Sequence, residues 1–583
     1  MLFTLGHGQH VLIDTGAAPP GATGTAPNDV VPLDSVLEAE IGDTRSRLVP
    51  AAVGGGSFAF YFADAPALPE DPTLPDRLDD VAEAMVEAAS DPEAQNSTIP
   101  PIFTYFGQFV DHDITANTDR ESVLSQIDGV IIPVDRSDVV AGLFNLRDGS
   151  LQLDSIYGDT VGQGPFATKL AGLMRHPTSK AKMRLAIPVD TPGQVPPFPK
   201  GPDDNAADLL RLGFLIGRGD VKQADLDALP ADLRETFVNP DGTPNLERAI
   251  IGDARNDENL LVAQLHMSML RFHNKLVDAT GSFDGARRLM RWHYQWLLVN
   301  QYLRTICDTA VVDDVVAREA PLYGEFFAAH GTAGSAQMPL PLEFSVAAFR
   351  FGHSMIRSAY DHNRFFGEAV PGDQNLLPEA SFELLFAFTG NGKMNNQAPR
   401  LPRNWVIEWD RFVRTDPTKP MHAARRIDTH LAPPLADMNN EPTGVFKHLA
   451  KRNLRRGYRL SIPTAQACIA SLAAGTHPGL TPLSRTELTS GDAGAALDAA
   501  GLADATPLWF YVLKEAEVRA NGQHLGPLGS VLVAETLVGL VANDPTSFWR
   551  GGAGGSRWSP DAAGLAGGPI DSLEAMLRFA GML

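Results

Sequence analysis

From Ile102 to the C-terminus, apolar residues recur every three or four positions over long stretches, and this period restricts the fold more than any other feature. Leu260, Leu261, Leu265, Met269, Leu270, Phe272 and Leu276 fall on one side of a helix. The same spacing predicts helices over 282–306, 343–358, 507–520 and 530–542, with a last one near 572–580. Pro- and Gly-rich breaks separate them at 187–202, 371–378 and 551–555. The first hundred or so residues read differently, because Pro and Gly punctuate 17–27 and 64–76. We read residues 1–95 as a loop-rich extension and 96–583 as one large, mainly α-helical domain. No internal repeat of the kind that builds solenoids is visible.

Charge and cysteine content exclude several classes of function. Lys and Arg number 48 against 70 Asp and Glu, a formal charge of −22. Such a surface repels phosphate backbones and anionic membranes, which argues against nucleic acid as a partner. The two cysteines, Cys307 and Cys468, supply neither a disulfide framework nor a cysteine-rich metal site. The most apolar stretch, 530–542, is shorter than the roughly 18–20 residues of a membrane span and contains Glu535. Residues 1–16 have no Lys or Arg and no long apolar run, so no cleavable signal is expected. The reading is a soluble chain with no membrane span.

Four segments gather unlike polar groups on helical faces. In 102–114, Gln108, Asp111 and His112 are spaced i, i+3 and i+4 among Phe106, Phe109 and Val110. Ionisable groups in an apolar helix are costly unless satisfied, although acids at a solvated helix end would look the same. In 250–261, Arg255 and Glu258 are i, i+3 neighbours, which a helix-start salt bridge also explains. In 344–356, His353 follows Arg350 by three residues in an apolar stretch with Gly352 beside it. A buried histidine there is either a hydrogen-bonded core residue or an iron ligand. In 448–464, five basic residues from Lys451 to Arg459 form either a solvated face or a cradle for a ligand's carboxylates.

Taken in order, these segments resemble the peroxidase–cyclooxygenase superfamily, the animal haem peroxidases and their bacterial relatives. GQFVDHD resembles the family's distal-histidine helix, GDARNDEN its distal-arginine motif, and AAFRFGH its proximal-histidine motif. NLRRGYRLSIPTAQ resembles the Arg-rich segment in its bacterial form, and the likeness runs from about Ile102 to Ala542.

The resemblance implies a haem peroxidase that reduces hydrogen peroxide and oxidises halides, thiocyanate or small organic donors. It implies His112 as distal base, Arg255 as the group that stabilises developing charge, and Gln108 as a donor to distal water or halide. His353 is implied as the ligand of the haem iron, Asn453 as its hydrogen-bond partner, and Arg350 and Arg456 as partners of the haem propionates. Asp111 and Glu258 match the carboxylates that esterify haem b in mammalian members. The methionine that follows this glutamate in some of them is Asn259 here, so a sulfonium link is not expected. Calcium is implied at Asp113 together with Asp148, Ser150, Gln152 and Asp154, whose alternate spacing suits oxygen ligation of a hard cation. Gln152 and Asp148 depart from the family pattern, which usually has a carboxylate and a threonine there.

Three other readings compete. A fatty-acid dioxygenase of the same superfamily would carry a radical-forming tyrosine where this chain has Arg350. A binding or adhesion protein on an inactive scaffold would have lost His112, Arg255 or His353. A zinc site at His266 and His273 would span seven residues, whereas hydrolytic motifs use a spacing of four.

Overall fold

The computed structural model describes residues 56–583, apart from 117–123, 159–168, 190–207, 367–379, 391–400, 414–420 and shorter gaps. Of the first 55 residues it describes only two paired strands, β1 (Leu2–Thr4) and β2 (Val11–Ile13). The 187–202 and 371–378 breaks therefore lie largely outside the described residues. The protein is mainly helical, as expected. The helices that matter for the site are α1 (Leu74–Ala84), α2 (Ile102–Ile114), α3 (Leu260–Thr280), α4 (Phe283–Leu297), α5 (Leu449–Arg459), α6 (Leu508–Ala520) and α7 (Pro527–Asn543). One continuous apolar cluster runs through them, from Phe58 near one end of the chain to Met582 at the other.

Local sequence sets several helix ends. Asn259 caps α3, its side-chain oxygen accepting from Val262 N at 3.0 Å, and Ser282 caps α4 by accepting from Gly285 N at 3.1 Å. Pro527 stands in the first turn of α7, where its missing N–H costs nothing. Helix α7 is apolar all round and buried from Leu528 to Val541. Each Leu or Val it buries contributes about 1.5–3 kcal/mol. Its one acid, Glu535, accepts the N–H groups of Leu322 and Tyr323 at 2.9 and 3.2 Å, which satisfies the start of the helix Pro321–His330. Among the described residues no helix is long and apolar enough to cross a membrane.

Two features differ from the sequence reading in detail. Helix α1 lies inside the stretch read as loop-rich. Leu74, Leu78, Val81 and Ala82 make its buried stripe, and it packs on α5, where Arg455 grips Asp79 with two hydrogen bonds of 2.7 and 2.8 Å. The stretch predicted as a helix over 343–358 is instead a π-helical turn, Glu343–Ala347, followed by a 3₁₀ helix, Ala348–Met355. Glu343 anchors its start by accepting from Tyr61 N and Phe62 N at 2.9 and 3.0 Å. In a 3₁₀ helix residues i and i+3 eclipse, so Arg350 and His353 stand on one side.

Candidate active site

A cleft with about 1350 Å³ of empty space, counting the part that opens to solvent, lies between α2, the turn before α3, the 3₁₀ segment and α5. Gln108, Asp111 and His112 from α2 line it, with Arg255 and Glu258 from the turn and Arg350 and His353 from the 3₁₀ segment. Phe103, Phe349, Phe382, Phe386 and Met438 supply an apolar wall. A Cβ placed on Gly107 would collide with the Tyr302 hydroxyl, so glycine in GQFVDHD lets α2 pack against that ring. At Gly352 a Cβ would meet no protein atom within 4 Å, because the space beside it belongs to the cleft.

Every polar side chain of the turn Asp253–Asn259 has work to do. Asn256 Oδ1 lies 2.8 Å from His112 Nδ1, which leaves Nε2 as the nitrogen for the cleft. Burial, and then the Arg255 charge, push the His112 imidazolium below its ordinary value, so the ring is a neutral base. Arg255 Nη2 donates to the carbonyls of His112 and Thr115 at 3.0 and 2.6 Å, which ties the end of α2 to the turn. Asp257 holds Arg211 through two hydrogen bonds of 2.7 and 3.0 Å. Glu258 accepts from Gln108 Nε2, whose Oε1 in turn accepts from Asn259 Nδ2 at 3.1 Å. Asn259 thus orients Gln108. Gln108 is held at both ends of its amide.

Asp253 is the electrostatic centre of this turn. It is fully buried and pairs with both Arg147 and Arg255. Burial pushes its carboxyl up, but the two guanidinium groups outweigh that and hold it well below the carboxylate range. Removing one partner of a buried ion pair leaves uncompensated charge and costs about 3–5 kcal/mol. Asp253→Ala should therefore lose about that much stability, read as a lowered midpoint in denaturant unfolding. An unchanged midpoint would show that water compensates both arginines.

On the opposite wall, Asn453 Nδ2 of α5 lies 2.9 Å from His353 Nδ1, while Asn453 Oδ1 is buried with no hydrogen-bond partner among the described residues, so a turn of the amide would bring the oxygen to that place. An amide oxygen at that place accepts the Nδ1 proton and leaves the Nε2 lone pair toward the cleft. The backbone carbonyl of Arg350 accepts from Trp509 Nε1 at 3.1 Å, which fastens the segment to α6. The basic run on α5 is neither a solvated face nor wholly a ligand cradle. Lys451 and Arg455 pair with Asp79 and Glu83 of α1, and Arg459 donates to the carbonyl of Ile132 at 2.7 Å.

Most of the expected site residues meet in this cleft, but not all. Arg456 is wholly buried and does not line it. Arg452, one turn earlier, does, paired with Glu441 at 3.0 Å. Asp111 Oδ1 accepts from Thr115 Oγ1 at 2.9 Å. Asp113 faces the 148–158 loop, as the calcium expectation requires, but meets hydrogen-bond donors there. Leu153 N and Ser155 N lie at 3.1 Å and Ser155 Oγ at 3.0 Å, and burial raises the carboxyl to about 6. Asp154 is buried, and Ser150 Oγ is buried without a hydrogen-bond partner among the described residues. Among the described residues no three His, Cys, Asp or Glu side chains gather as a metal cluster. His266 and His273 belong to separate networks, the first with Asn256 and the second with Tyr157 at 2.8 Å.

Comparison with known proteins agrees with this architecture. The animal haem peroxidase family matches residues 201–384, which include Arg255 and His353. A peroxidase-like protein from Margaritifera margaritifera is 26% identical over 309 residues, 49% of this chain and 35% of that protein. The chain thus spans about a third of that relative's length. Peroxidase A from Dictyostelium discoideum superposes with a TM-score of 0.52 at 15% identity, over 84% of this chain and 88% of that one. A fatty acid α-dioxygenase from Arabidopsis thaliana gives 0.47 at 14% identity, over 89% and 74%. The animal haem peroxidase family model thus matches one part of this chain, and the likeness to the Dictyostelium discoideum structure is one of fold.

Proposed function

We propose that the protein is a haem peroxidase that uses hydrogen peroxide to oxidise a small donor such as a halide, thiocyanate or a phenol. The observation that carries this is the pair of imidazoles lining one cleft, each with Nδ1 against a buried asparagine amide. The donor set fits haem: an imidazole for the iron, an apolar wall for the ring, and Arg350 and Arg452 within the cleft for propionates. Haem bound there supplies a redox-active iron that takes up the two oxidising equivalents of peroxide.

The chain's own residues then have distinct tasks. His353 holds the iron, with Asn453 fixing its ring. His112 Nε2 takes the proton of the nearer peroxide oxygen and returns it to the departing one, which leaves as water. Arg255, fixed by Asp253, presents positive charge to the oxygen that becomes negative as the O–O bond breaks. Arg350 stands where the oxygenases have their radical-forming tyrosine, which favours peroxidase over fatty-acid oxygenation. The deciding assay follows peroxide consumption with each donor, and oxygen uptake with a fatty acid in parallel. Peroxide turnover without fatty-acid oxygen uptake is expected, and the reverse would overturn the reading.

Ester attachment of haem b through Asp111 or Glu258 and a calcium ion at Asp113 belong to this proposal. Calcium rests on the resemblance and on Ser150 Oγ, buried with no hydrogen-bond partner among the described residues, and it would have to displace the donors that now occupy Asp113. For the ester, peroxide treatment followed by acidic butanone should leave haem with the protein and raise its mass. Asp111→Ala or Glu258→Ala should release it. Complete extraction from the parent protein rejects the bond.

A further inference from the structure

His112 acts as a base toward the cleft only if its proton sits on Nδ1, because the other tautomer turns an N–H to the substrate side. Which nitrogen carries the proton is set by the partner of the other one. That partner here is Asn256, and Asn256 is shared. Its Oδ1 lies 2.8 Å from His112 Nδ1, and its Nδ2 lies 3.0 Å from Nδ1 of His266 on α3. All three side chains are buried.

We propose that Asn256 and His266 are positioning residues that hold His112 as its Nδ1–H tautomer, with the Nε2 lone pair turned to the cleft. An amide has one donating end and one accepting end, so it couples the two rings in opposite senses. If Asn256 donates to His266, that ring's Nδ1 is bare and its proton sits on Nε2, while Asn256 Oδ1 accepts the proton of His112 Nδ1. Rotating the amide would reverse both tautomers together.

Two features select the productive sense. Arg255 also lines the cleft, and its charge favours the lone-pair end of the imidazole dipole at Nε2 over an N–H. His266 is neutral, since burial lowers its pKa to about 3, so its Nδ1 can serve as a bare acceptor for Asn256. Its Nε2 has no hydrogen-bond partner among the described residues, and the Phe109 ring stands edge-on to it with centroids 6.2 Å apart. Among the described residues nothing else competes for the tautomer of His266, so its bare Nδ1 can accept from Asn256 Nδ2 and keep Oδ1 turned to His112.

The inference rests on His112 being the distal base, but its test does not need turnover. Nitrogen-15 histidine labelling of the full-length chain, reduced under carbon monoxide so that bound haem is diamagnetic, reads each tautomer directly. His112→Gln and His266→Gln assign the signals. The parent should show His112 with its proton on Nδ1 and His266 with its proton on Nε2. In Asn256→Asp, at alkaline pH, the carboxylate accepts from both rings, so His266 should switch to Nδ1–H while His112 stays. Asn256→Leu should release the His112 tautomer. It should also slow cyanide association, where hydrogen cyanide gives its proton to the distal base, by about 10–100-fold as loss of an orienting partner does.

An Nε2–H tautomer for His112 in the parent overturns the proposal. So does an unchanged His266 tautomer in Asn256→Asp, which folds with the same side-chain shape even if Asn256→Leu does not. A protein with the expected tautomers that binds haem yet ignores peroxide leaves this inference standing and rejects the peroxidase reading instead.

Discussion

His353→Ala should abolish the haem Soret band while leaving helical content intact. The imidazole is the ligand proposed for the iron, and alanine puts no donor in its place. The fold should survive because His353 lines the cleft rather than the apolar core, and its carrier segment is fastened elsewhere. Glu343 is anchored by Tyr61 and Phe62, and the Arg350 carbonyl by Trp509. Added imidazole, entering the space beside Gly352, should restore part of the band. Asn453→Leu should keep haem but bind it about 10–100-fold more weakly, as loss of the partner that orients a metal-bound histidine does. A normal Soret band in His353→Ala, with circular dichroism unchanged, removes the ligand assignment.

The helices that carry the site were legible because their apolar period is strong and their caps are local. Ser282 begins the helix expected over 282–306, and Asn259 caps α3 in the same local way. The segment bearing His353 was legible as helical but not as π followed by 3₁₀. Its pitch is set by contacts of Glu343 with residues 281 and 282 positions away, which no local window contains. Helix α1 was missed although Leu74, Leu78 and Val81 have helical spacing, because the prolines before it read as loop.

Within the site, the matched positions include side chains that line one cleft, but their hydrogen-bond partners were not legible. Arg255 and Glu258 look like an i, i+3 pair, yet Arg255 turns to Asp253 and to the carbonyls of α2, while Glu258 turns to Gln108. Asn256, lying between them in sequence, bridges two histidines 144 residues and 10 residues away. The available signal was the density of polar residues in GDARNDEN just before a long buried helix. So many polar groups can be buried there only if each finds a partner. On α5 the expected Arg456 is buried outside the cleft lining, while Arg452, one turn earlier, reaches it.

His112→Ala should leave haem bound and slow the reaction with peroxide by about 10²–10⁴-fold, the usual worth of a positioned general base. Peroxide is a weak acid, and its proton must leave the nearer oxygen and reach the departing one before that oxygen can go as water. Nε2 of His112 is suited to both transfers, being neutral and held at Nδ1 by Asn256. Burial and Arg255 both lower the imidazolium, so the fall in rate on the acid side should lie below the ordinary imidazole value of 6.5. That acid limb should vanish in His112→Ala. Arg255→Ala, by contrast, should cost both rate and stability, because it also releases the His112 and Thr115 carbonyls and leaves Asp253 with Arg147 alone. Stopped-flow mixing with peroxide separates the two variants. A His112→Ala rate within threefold of the parent, with the acid limb retained, would assign the proton transfer to another group.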